Sequence, residues 1–237
     1  MSILRLRGKF KGFFFLLKLQ KITPRNLFVF AGHLAELSKW IARNRKIPFS
    51  DFYASEFKYD KRYDLYTYLV DKESITANID YLEFGVSKGY SFRWWAEHIK
   101  DSGSRFFGFD TFSGLPEDWG PFKKGAMSNG NVPPEMNDAR CKFYQGLFQQ
   151  TLFDFIKTYV PGSRRVIHMD ADLYSSTLFV LTSFSQFIKK GDILIFDEFN
   201  VPLHEFKAFK EWTESFYIDY EVLGAVNNFY QVAIKIK

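Results

Sequence analysis

Two aspartates, Asp170 and Asp172, follow directly after the hydrophobic run in the segment RRVIHMDADLYSST, residues 164–177. A run of this kind is typical of a buried strand, and ligands of open parallel sheets bind beyond the carboxyl ends of the strands. Carboxylates in this position could hold a metal, a sugar nucleotide or a phosphoryl group. Asp172 stands just ahead of a predicted helix, so we expect it to have a structural, helix-capping role.

A second hydrophobic run, in the segment GDILIFDEF, ends in Asp197 and Glu198. Two neighbouring strand ends could bring Asp170, Asp197 and Glu198 to one ion, and Mg²⁺ prefers such oxygen ligands. Without a cation, three carboxylates that lie close together would repel one another, and some would be protonated. The sequence therefore predicts a metal site made of these three residues.

A glycine turn follows a third predicted strand in the segment YLEFGVSKGYS, which contains Gly85 and Gly89. Glycines allow a tight turn and a close approach of a ligand to the backbone. The segment lacks the full G-x-G-x-x-G pattern of a dinucleotide site, so alone it is a weak signal. Asp110 ends the next predicted strand, where a carboxylate accepts hydrogen bonds from ribose hydroxyls in nucleotide-binding folds. Together these residues favour a cofactor that contains a nucleoside.

The elements that must position these residues alternate between strands and helices from residue 79 onward. Alternation of this kind predicts an α/β fold with a doubly wound, mostly parallel sheet of seven strands. The last two strands, with only AVNN between them, predict an antiparallel hairpin at the carboxyl terminus. A long segment rich in Gly and Pro, residues 112–140, interrupts the pattern. A loop of this length inside a compact domain is often functional, so we expect a lid.

We predict that residues 79–237 form one α/β domain. Residues 1–78 form a predicted helical extension ahead of it. Residues 1–46 hold eleven of the Lys and Arg residues and one acid, Glu36, for a net charge of +10. The rest of the chain therefore has a net charge of −5. Because the predicted α/β domain is mildly acidic, we expect no nucleic acid as a partner.

The basic extension leaves several interpretations open. The apolar run of residues 13–17, in the segment GKFKGFFFLLKLQK, is too short to span a bilayer. The extension could be a solvated arm with a helix packed on the domain, a basic helix on an anionic membrane surface, or an arm that binds a partner such as a second copy. The single cysteine, Cys141, excludes an internal disulfide and fits a reducing compartment. We expect a cytoplasmic protein, with peripheral contact to the membrane as the open alternative.

Five segments in order, YLEFGVSKGYS, FFGFDTFSGLPEDW, YQGLFQQTL, IHMDADLYSST and GDILIFDEF, resemble the macrocin O-methyltransferase family. The resemblance covers about residues 79–237, and GFDTFSGLP with DADLYSST is its most specific part. It implies a class I, Rossmann-like methyltransferase that uses S-adenosyl-L-methionine and Mg²⁺ and methylates a hydroxyl of a small molecule or a glycan.

The resemblance also implies roles for individual residues. Asp170 would lie at the mouth of the cofactor site, hold the metal together with Asp197 and Glu198, and take the proton of the acceptor hydroxyl. The family commonly has Asp at the position of Glu198, and a Glu side chain reaches one methylene further. The cofactor would be surrounded by Glu83, Gly85, Gly89 and Ser91 at its methionine part, by Asp110, Thr111 and Phe112 at its ribose, and by Gly146 near its adenine.

Two other functions compete with this interpretation. A metal-dependent glycosyltransferase with a D-x-D motif would explain Asp170 and Asp172, but it leaves the glycine turn and the pair Asp197 and Glu198 without roles. A non-catalytic, membrane-associated binding protein would explain the basic extension. It would not explain why acidic residues end so many of the predicted strands, since such clusters are costly without a ligand.

Overall fold

The computed structural model describes residues 3–162 and 164–237. Its strands are β1 (Phe49–Ser50), β2 (Ile79–Phe84), β3 (Arg105–Asp110), β4 (Cys141–Gln145), β5 (Arg164–Met169), β6 (Ile193–Phe196), β7 (Tyr220–Val226) and β8 (Gln231–Ile236). Its α-helices are α1 (Ile3–Leu16), α2 (Arg25–Asn44), α3 (Lys61–Lys72), α4 (Tyr90–His98), α5 (Phe148–Thr158), α6 (Tyr174–Phe184) and α7 (Glu205–Ser215). Short 3₁₀ turns follow α1 and α6, at Leu19–Lys21 and Ser185–Phe187.

The strands form one sheet in the order β1-β7-β8-β6-β5-β2-β3-β4. The five strands β2 to β6 are all parallel to one another. Strand β8 is antiparallel to both of its neighbours, β6 and β7. The predicted mixed sheet and its carboxyl-terminal hairpin are therefore confirmed. The structure adds an eighth strand, β1, whose two residues pair in parallel with β7. A strand of two residues is too short to show the alternation from which strands are predicted.

Helices cover both faces of the sheet, as expected for a doubly wound fold. Alternate residues of β2 show this arrangement, because Leu82 belongs to a cluster with α5, α6 and α7. Tyr81 points the other way and belongs to a cluster with α3 and α4. Since all six residues of β2 are buried, this strand lies at the centre of the core.

The register of the parallel strands aligns their carboxyl ends. Phe84 pairs with Phe109 and Met169 across β2, β3 and β5, and Met169 pairs with Phe196 on β6. The residue that follows each of these therefore emerges at the same edge of the sheet. These residues are Gly85, Asp110, Asp170 and Asp197.

Residues 1–78 contain more than helices. Strand β1 extends the sheet, and α3 packs into its core through Leu65, Tyr66 and Leu69. The second half of α2 contacts the other face of the sheet around Leu37. The division of the chain at residue 79 stays a prediction. None of the helices in the described part of the chain is long and apolar enough to cross a membrane.

Candidate functional site

A cleft of about 640 Å³, open to solvent, lies at the carboxyl edge of the parallel strands. A volume of this size is within the range of small-molecule sites. The ends of β2, β3 and β5 form its floor, and the loop after β3 forms a wall through Leu115, Pro116 and Met127. The predicted site residues that line the cleft are Gly85, Asp110, Thr111 and Asp170.

Gly85 allows the backbones of two neighbouring strands to approach closely at the floor of the cleft. Its φ is +99°, and a Cβ atom built on it would overlap the backbone carbonyl oxygen of Asp170. The backbone of β2 and that of β5 therefore meet here without a side chain between them. A ligand in the cleft can consequently approach the main chain directly.

We expect Gly85→Ala to destabilise the protein more than Gly191→Ala does. Gly191 has nearly the same φ, +94°, but nothing lies within 4 Å of its added Cβ. Its substitution should thus cost only the backbone strain, about 1–2 kcal/mol. At Gly85 the overlap with Asp170 adds to this strain. Urea unfolding of both variants measures the difference, and equal free energies of unfolding would show that the backbones do not approach this closely.

Asp110 is held rigidly at the cleft by two backbone amides. Ser87 N–H donates to its Oδ2 at 2.7 Å, and Phe112 N–H donates to its Oδ1 at 2.6 Å. Each carboxylate oxygen keeps a further lone pair. Because Asp110 lines the cleft, it can accept hydrogen bonds from two neighbouring hydroxyl groups of a ligand. Thr111 beside it donates its hydroxyl to the carbonyl of Gly114 at 2.9 Å, which fixes the start of the loop.

Glu83 and Ser91 do not line this cleft. Ser91 Oγ donates to Glu83 Oε1 at 2.7 Å, and the Tyr81 hydroxyl donates to Oε2. His168 Nδ1 lies 3.5 Å from the same Oε2, and all of these groups are buried. The Glu83 carboxylate thus connects β2 to α4 and to His168. The roles of Glu83 and Ser91 in cofactor binding stay predictions.

The other cofactor residues from the sequence analysis lie around the cleft. Phe112 is buried at the start of the loop. Gly89 precedes α4, and its Cβ position is filled by Pro134 of the same loop. Gly146 lines an adjoining depression together with Thr111 and Leu147. Their roles at the cofactor likewise stay predictions.

Three carboxylates, here called the acidic group, lie close together at this edge of the sheet, and two of them, Asp170 and Asp172, line the cleft. Asp170, Asp172 and Glu198 each offer an oxygen, and these oxygens all lie within 4.8 Å of one another. Glu198 Oε2 is buried and has no hydrogen-bond partner among the described residues. The expectation that Asp172 caps a helix is wrong, because α6 begins at Tyr174 and Leu173 is its N-cap without a side-chain capping bond. Asp172 instead has a φ of +56° and belongs to the acidic group.

Asp197 makes a contact that was not predicted, while its Oδ1 is buried and has no hydrogen-bond partner among the described residues. It is fully buried, and its Oδ2 accepts the hydroxyl of Tyr59 and lies 3.5 Å from Arg62 Nη1. The guanidinium of Arg62 also stacks over the Tyr59 ring, 4.1 Å from its centroid. The structure therefore groups Asp170 and Glu198 with Asp172 and pairs Asp197 with Arg62. Ligation of a metal by Asp197 stays a prediction.

The electrostatics of the acidic group favour a cation. Burial, and then the charge of Asp197, raises the pKa of Asp170 well above its ordinary value. Burial and the neighbouring carboxylates do the same to the pKa of Glu198. Burial, together with the charges of Asp197 and Asp110, raises the pKa of Asp172 to about 7. Three repelling carboxylates with an unpartnered oxygen have the donor set of a hard divalent cation such as Mg²⁺.

Sequence reasoning missed Arg62, Tyr59 and Glu205. Glu205 is buried at the start of α7, and its Oε2 accepts the backbone N–H of Glu198 at 2.9 Å. The burial of Arg62 could have been predicted. It lies three positions before Leu65 and seven before Leu69, so it falls on the buried face of α3. An arginine at such a position needs a buried partner. Nothing in the local sequence marks Tyr59 or Glu205.

The comparisons with known proteins agree with this geometry. A family model described as a methyltransferase domain matches residues 82–199. The structure of the O-methyltransferase NovP is similar at 22% identity and a TM-score of 0.56, over 74% of this chain and 79% of that one. The calicheamicin methyltransferase CalS11 is similar at 18% identity and a TM-score of 0.56, over 90% and 93%. An apo structure of CalS11, described as a TDP-rhamnose 3'-O-methyltransferase, gives 17% identity and a TM-score of 0.53, over 90% and 95%.

No curated protein matches the sequence of the chain. At these identities the similar structures establish the fold, and the family model establishes the domain. The matched residues run from β2 to the end of the GDILIFDEF segment, so they include the floor of the cleft, Asp110 and the acidic group. Residues 82–199 therefore form a methyltransferase domain, and the prediction that this protein is a methyltransferase is confirmed.

Proposed function

We propose that this protein transfers a methyl group from S-adenosyl-L-methionine to a hydroxyl oxygen of a sugar or small natural product, with the help of Mg²⁺. One observation carries the proposal. The carboxylate of Asp110, the backbone of Gly85, and Asp170 and Asp172 of the acidic group line the same cleft of a methyltransferase domain. The first two suit a nucleoside cofactor and the third suits a metal-assisted oxygen acceptor.

On the cofactor side, the chain supplies shape and hydrogen-bond acceptors. Asp110 accepts hydrogen bonds from the two ribose hydroxyls, while Ser87 and Phe112 hold its carboxylate in place. Gly85 lines the cleft without a side chain of its own, so the cofactor could lie against its main chain. When bound, S-adenosyl-L-methionine would supply a methyl group on a positively charged sulfur, which an oxygen nucleophile attacks in line.

On the acceptor side, the chain supplies a base and the ligands of a cation. Asp170, Asp172 and Glu198 would hold Mg²⁺, which when bound lowers the pKa of a hydroxyl and orients it. The Asp170 carboxylate is partly exposed to the cleft and accepts no hydrogen bond from the residues that the structure describes. One of its oxygens is thus free to take the proton of the acceptor hydroxyl.

The loop of residues 112–140 would exclude water from the reaction. Its residues Leu115 and Met127 give the cleft an apolar wall. Backbone bonds fold the loop on itself, including Leu115 N–H to the Ala126 carbonyl at 2.9 Å. Closing this wall over bound ligands would strengthen the electrostatic interactions inside the cleft.

The nature of the acceptor follows from likeness to other proteins. Membership of the macrocin O-methyltransferase family would imply a sugar or phenol hydroxyl. The description of CalS11 as a TDP-rhamnose 3'-O-methyltransferase supports a sugar. We therefore propose a small-molecule or glycan acceptor and no nucleic-acid substrate. The single cysteine is consistent with a site of action in the cytoplasm.

Calorimetric titration with S-adenosylhomocysteine tests the proposal directly. We expect micromolar binding by the wild-type protein, and an Asp110→Ala variant should bind at least about tenfold more weakly, because hydrogen bonds to a charged group contribute roughly 1.5–3 kcal/mol. Asp154→Ala on the exposed side of α5 is the matched control and should bind like the wild type. Titrations with Mg²⁺ and with chelator separate the cofactor from the metal.

Failure of the folded wild-type protein to bind S-adenosylhomocysteine in either condition would overturn the proposal. Titration with sugar nucleotides and Mn²⁺ would then test the glycosyltransferase alternative. Equal binding by Asp110→Ala and the wild type would instead place the cofactor elsewhere in the molecule.

A further inference from the structure

Helix α1 presents an apolar stripe to solvent. The stripe consists of residues spaced three and four positions apart, which fall on one side of a helix. None of the α1 side chains that the structure describes is buried. Five members of the stripe, all except Phe14, are more than half exposed. The apolar stripe comprises Ile3, Leu6, Phe10, Phe13, Phe14 and the adjoining Leu17.

Basic residues flank the apolar stripe on both sides. At about 100° per residue, Arg7 and Lys11 border it on one side, and Lys9 borders it on the other. Lys18 and Lys21 follow the helix. The chain contains no acidic residue before Glu36. The helix thus combines exposed apolar side chains with charged side chains that are all positive.

The exposed surface continues into the first half of α2. Leu27, Phe28 and Leu34 are each between 45% and 63% exposed, whereas Leu37 in the second half is buried against the core. We call residues 3–34 the arm. The arm precedes the second half of α2, which packs on the core through Leu37. An exposed apolar surface this extensive is typical of an interaction site.

Charge decides which partner suits the arm. A second copy of the chain would bring two arms together, each within a segment of net charge +10. Their repulsion opposes an apolar contact between copies. An anionic bilayer neutralises the same charge, and the long basic side chains can reach its headgroups while the apolar stripe enters the interface.

We propose that the arm docks this protein on an anionic lipid bilayer, with helix α1 lying in the membrane interface and its apolar stripe facing the acyl chains. The arm lies on the membrane rather than across it, in keeping with the absence of a spanning helix among the described residues. Docking of this kind requires both the apolar stripe and its basic flanks, because either signal alone binds membranes weakly.

Co-sedimentation of the full chain with vesicles tests the proposal. We expect binding to vesicles of phosphatidylcholine and phosphatidylglycerol in equal parts to be at least about tenfold stronger than to phosphatidylcholine alone, and to weaken with added salt. The double variant Phe10→Ser, Phe13→Ser removes two residues of the apolar stripe and should reduce this binding about tenfold or more, because each exposed Phe contributes apolar area.

The matched control is the double variant Phe15→Ser, Leu16→Ser on the same helix. Both residues are exposed, at 71% and 76%, but they lie outside the apolar stripe. This control should bind vesicles within about twofold of the wild type. Since neither pair packs on the rest of the protein, both variants should fold like the wild type.

Three outcomes would overturn the proposal. These are equal binding to neutral and anionic vesicles, equal losses in the two double variants, and absence of binding to either vesicle by the wild type. Sedimentation equilibrium then tests whether a second copy of the chain covers the apolar stripe. In that case the wild type would be a dimer, and the double variant Phe10→Ser, Phe13→Ser would be a monomer while the control variant stays a dimer. These readouts do not depend on methyl transfer, so the proposal stands or fails apart from the proposed function.

Discussion

Replacing Asp170 by Asn is expected to lower the rate of methyl transfer by about 10²- to 10⁴-fold, the usual contribution of a positioned proton acceptor. The substitution keeps the size of the side chain and removes its charge. It also removes a ligand from the acidic group, so Mg²⁺ should bind more weakly. The rate is measured with the best acceptor from a panel of sugar nucleotides and phenols, and metal affinity is measured by calorimetry.

Two further variants distinguish the predicted ligand set from the one that the structure groups. Asp172→Asn should weaken Mg²⁺ binding, because Asp172 contributes an oxygen to the acidic group. Asp197→Asn should leave Mg²⁺ affinity largely unchanged and destabilise the protein, because it deprives the buried Arg62 of its partner. The exposed Asp154 again serves as the control position.

The opposite pattern would have a definite meaning. If Asp197→Asn removed Mg²⁺ binding and Asp172→Asn did not, the ligand set would be the one expected from sequence. If Asp170→Asn retained the full rate of methyl transfer, Asp170 would be neither the proton acceptor nor a required metal ligand.

Replacing Arg165 by Met is expected to reduce the free energy of unfolding by about 3–5 kcal/mol, the usual cost of leaving a buried charge without its partner. Arg165 and Asp192 have side chains that are 3% and 1% exposed. Arg165 Nε donates to Asp192 Oδ2 at 2.6 Å, and its Nη2 donates to Oδ1 at 3.0 Å. The same carboxylate also accepts the backbone N–H groups of Arg165 and Lys189.

This ion pair lies at the amino ends of β5 and β6, away from the cleft. S-adenosylhomocysteine affinity of the folded Arg165→Met protein should therefore equal that of the wild type. Urea unfolding gives the change in stability, with Lys157→Met as the control. The exposed pair of Lys157 and Asp154 should contribute less than about 1 kcal/mol. Unfolding free energies within 1 kcal/mol of each other for the two variants would show that the Arg165 pair does not stabilise the fold as proposed.

Much of the sheet could be predicted because the information is local. Buried parallel strands consist of short apolar runs, and the runs that end at Phe84, Phe109, Met169 and Phe196 were each recognisable. Once the strands are parallel, the residues after them must meet at one edge, so the positions of Gly85, Asp110 and Asp170 followed from the sequence. The hairpin of β7 and β8 was recognisable from its short connection for the same reason.

Contacts between distant segments could not be predicted in this way. Arg62 reaches Asp197 from 135 positions earlier in the chain, and no periodicity specifies which buried carboxylate will meet which arginine. The turn at Asp172 was also beyond sequence reasoning, since a left-handed conformation at a residue other than glycine is uncommon and depends on its surroundings. For these reasons the sequence predicted neither the place of Asp172 in the acidic group nor the contact between Asp197 and Arg62.

The strands, and the edge of the sheet at which their polar ends meet, could be predicted from sequence, because apolar runs and glycine turns are properties of short segments. The three-dimensional packing was needed to show which carboxylates lie together, that Asp197 contacts Arg62, and that the apolar stripe of α1 is exposed. Each of these depends on how side chains from separate segments pack together, and packing is fixed by the whole core rather than by any one segment.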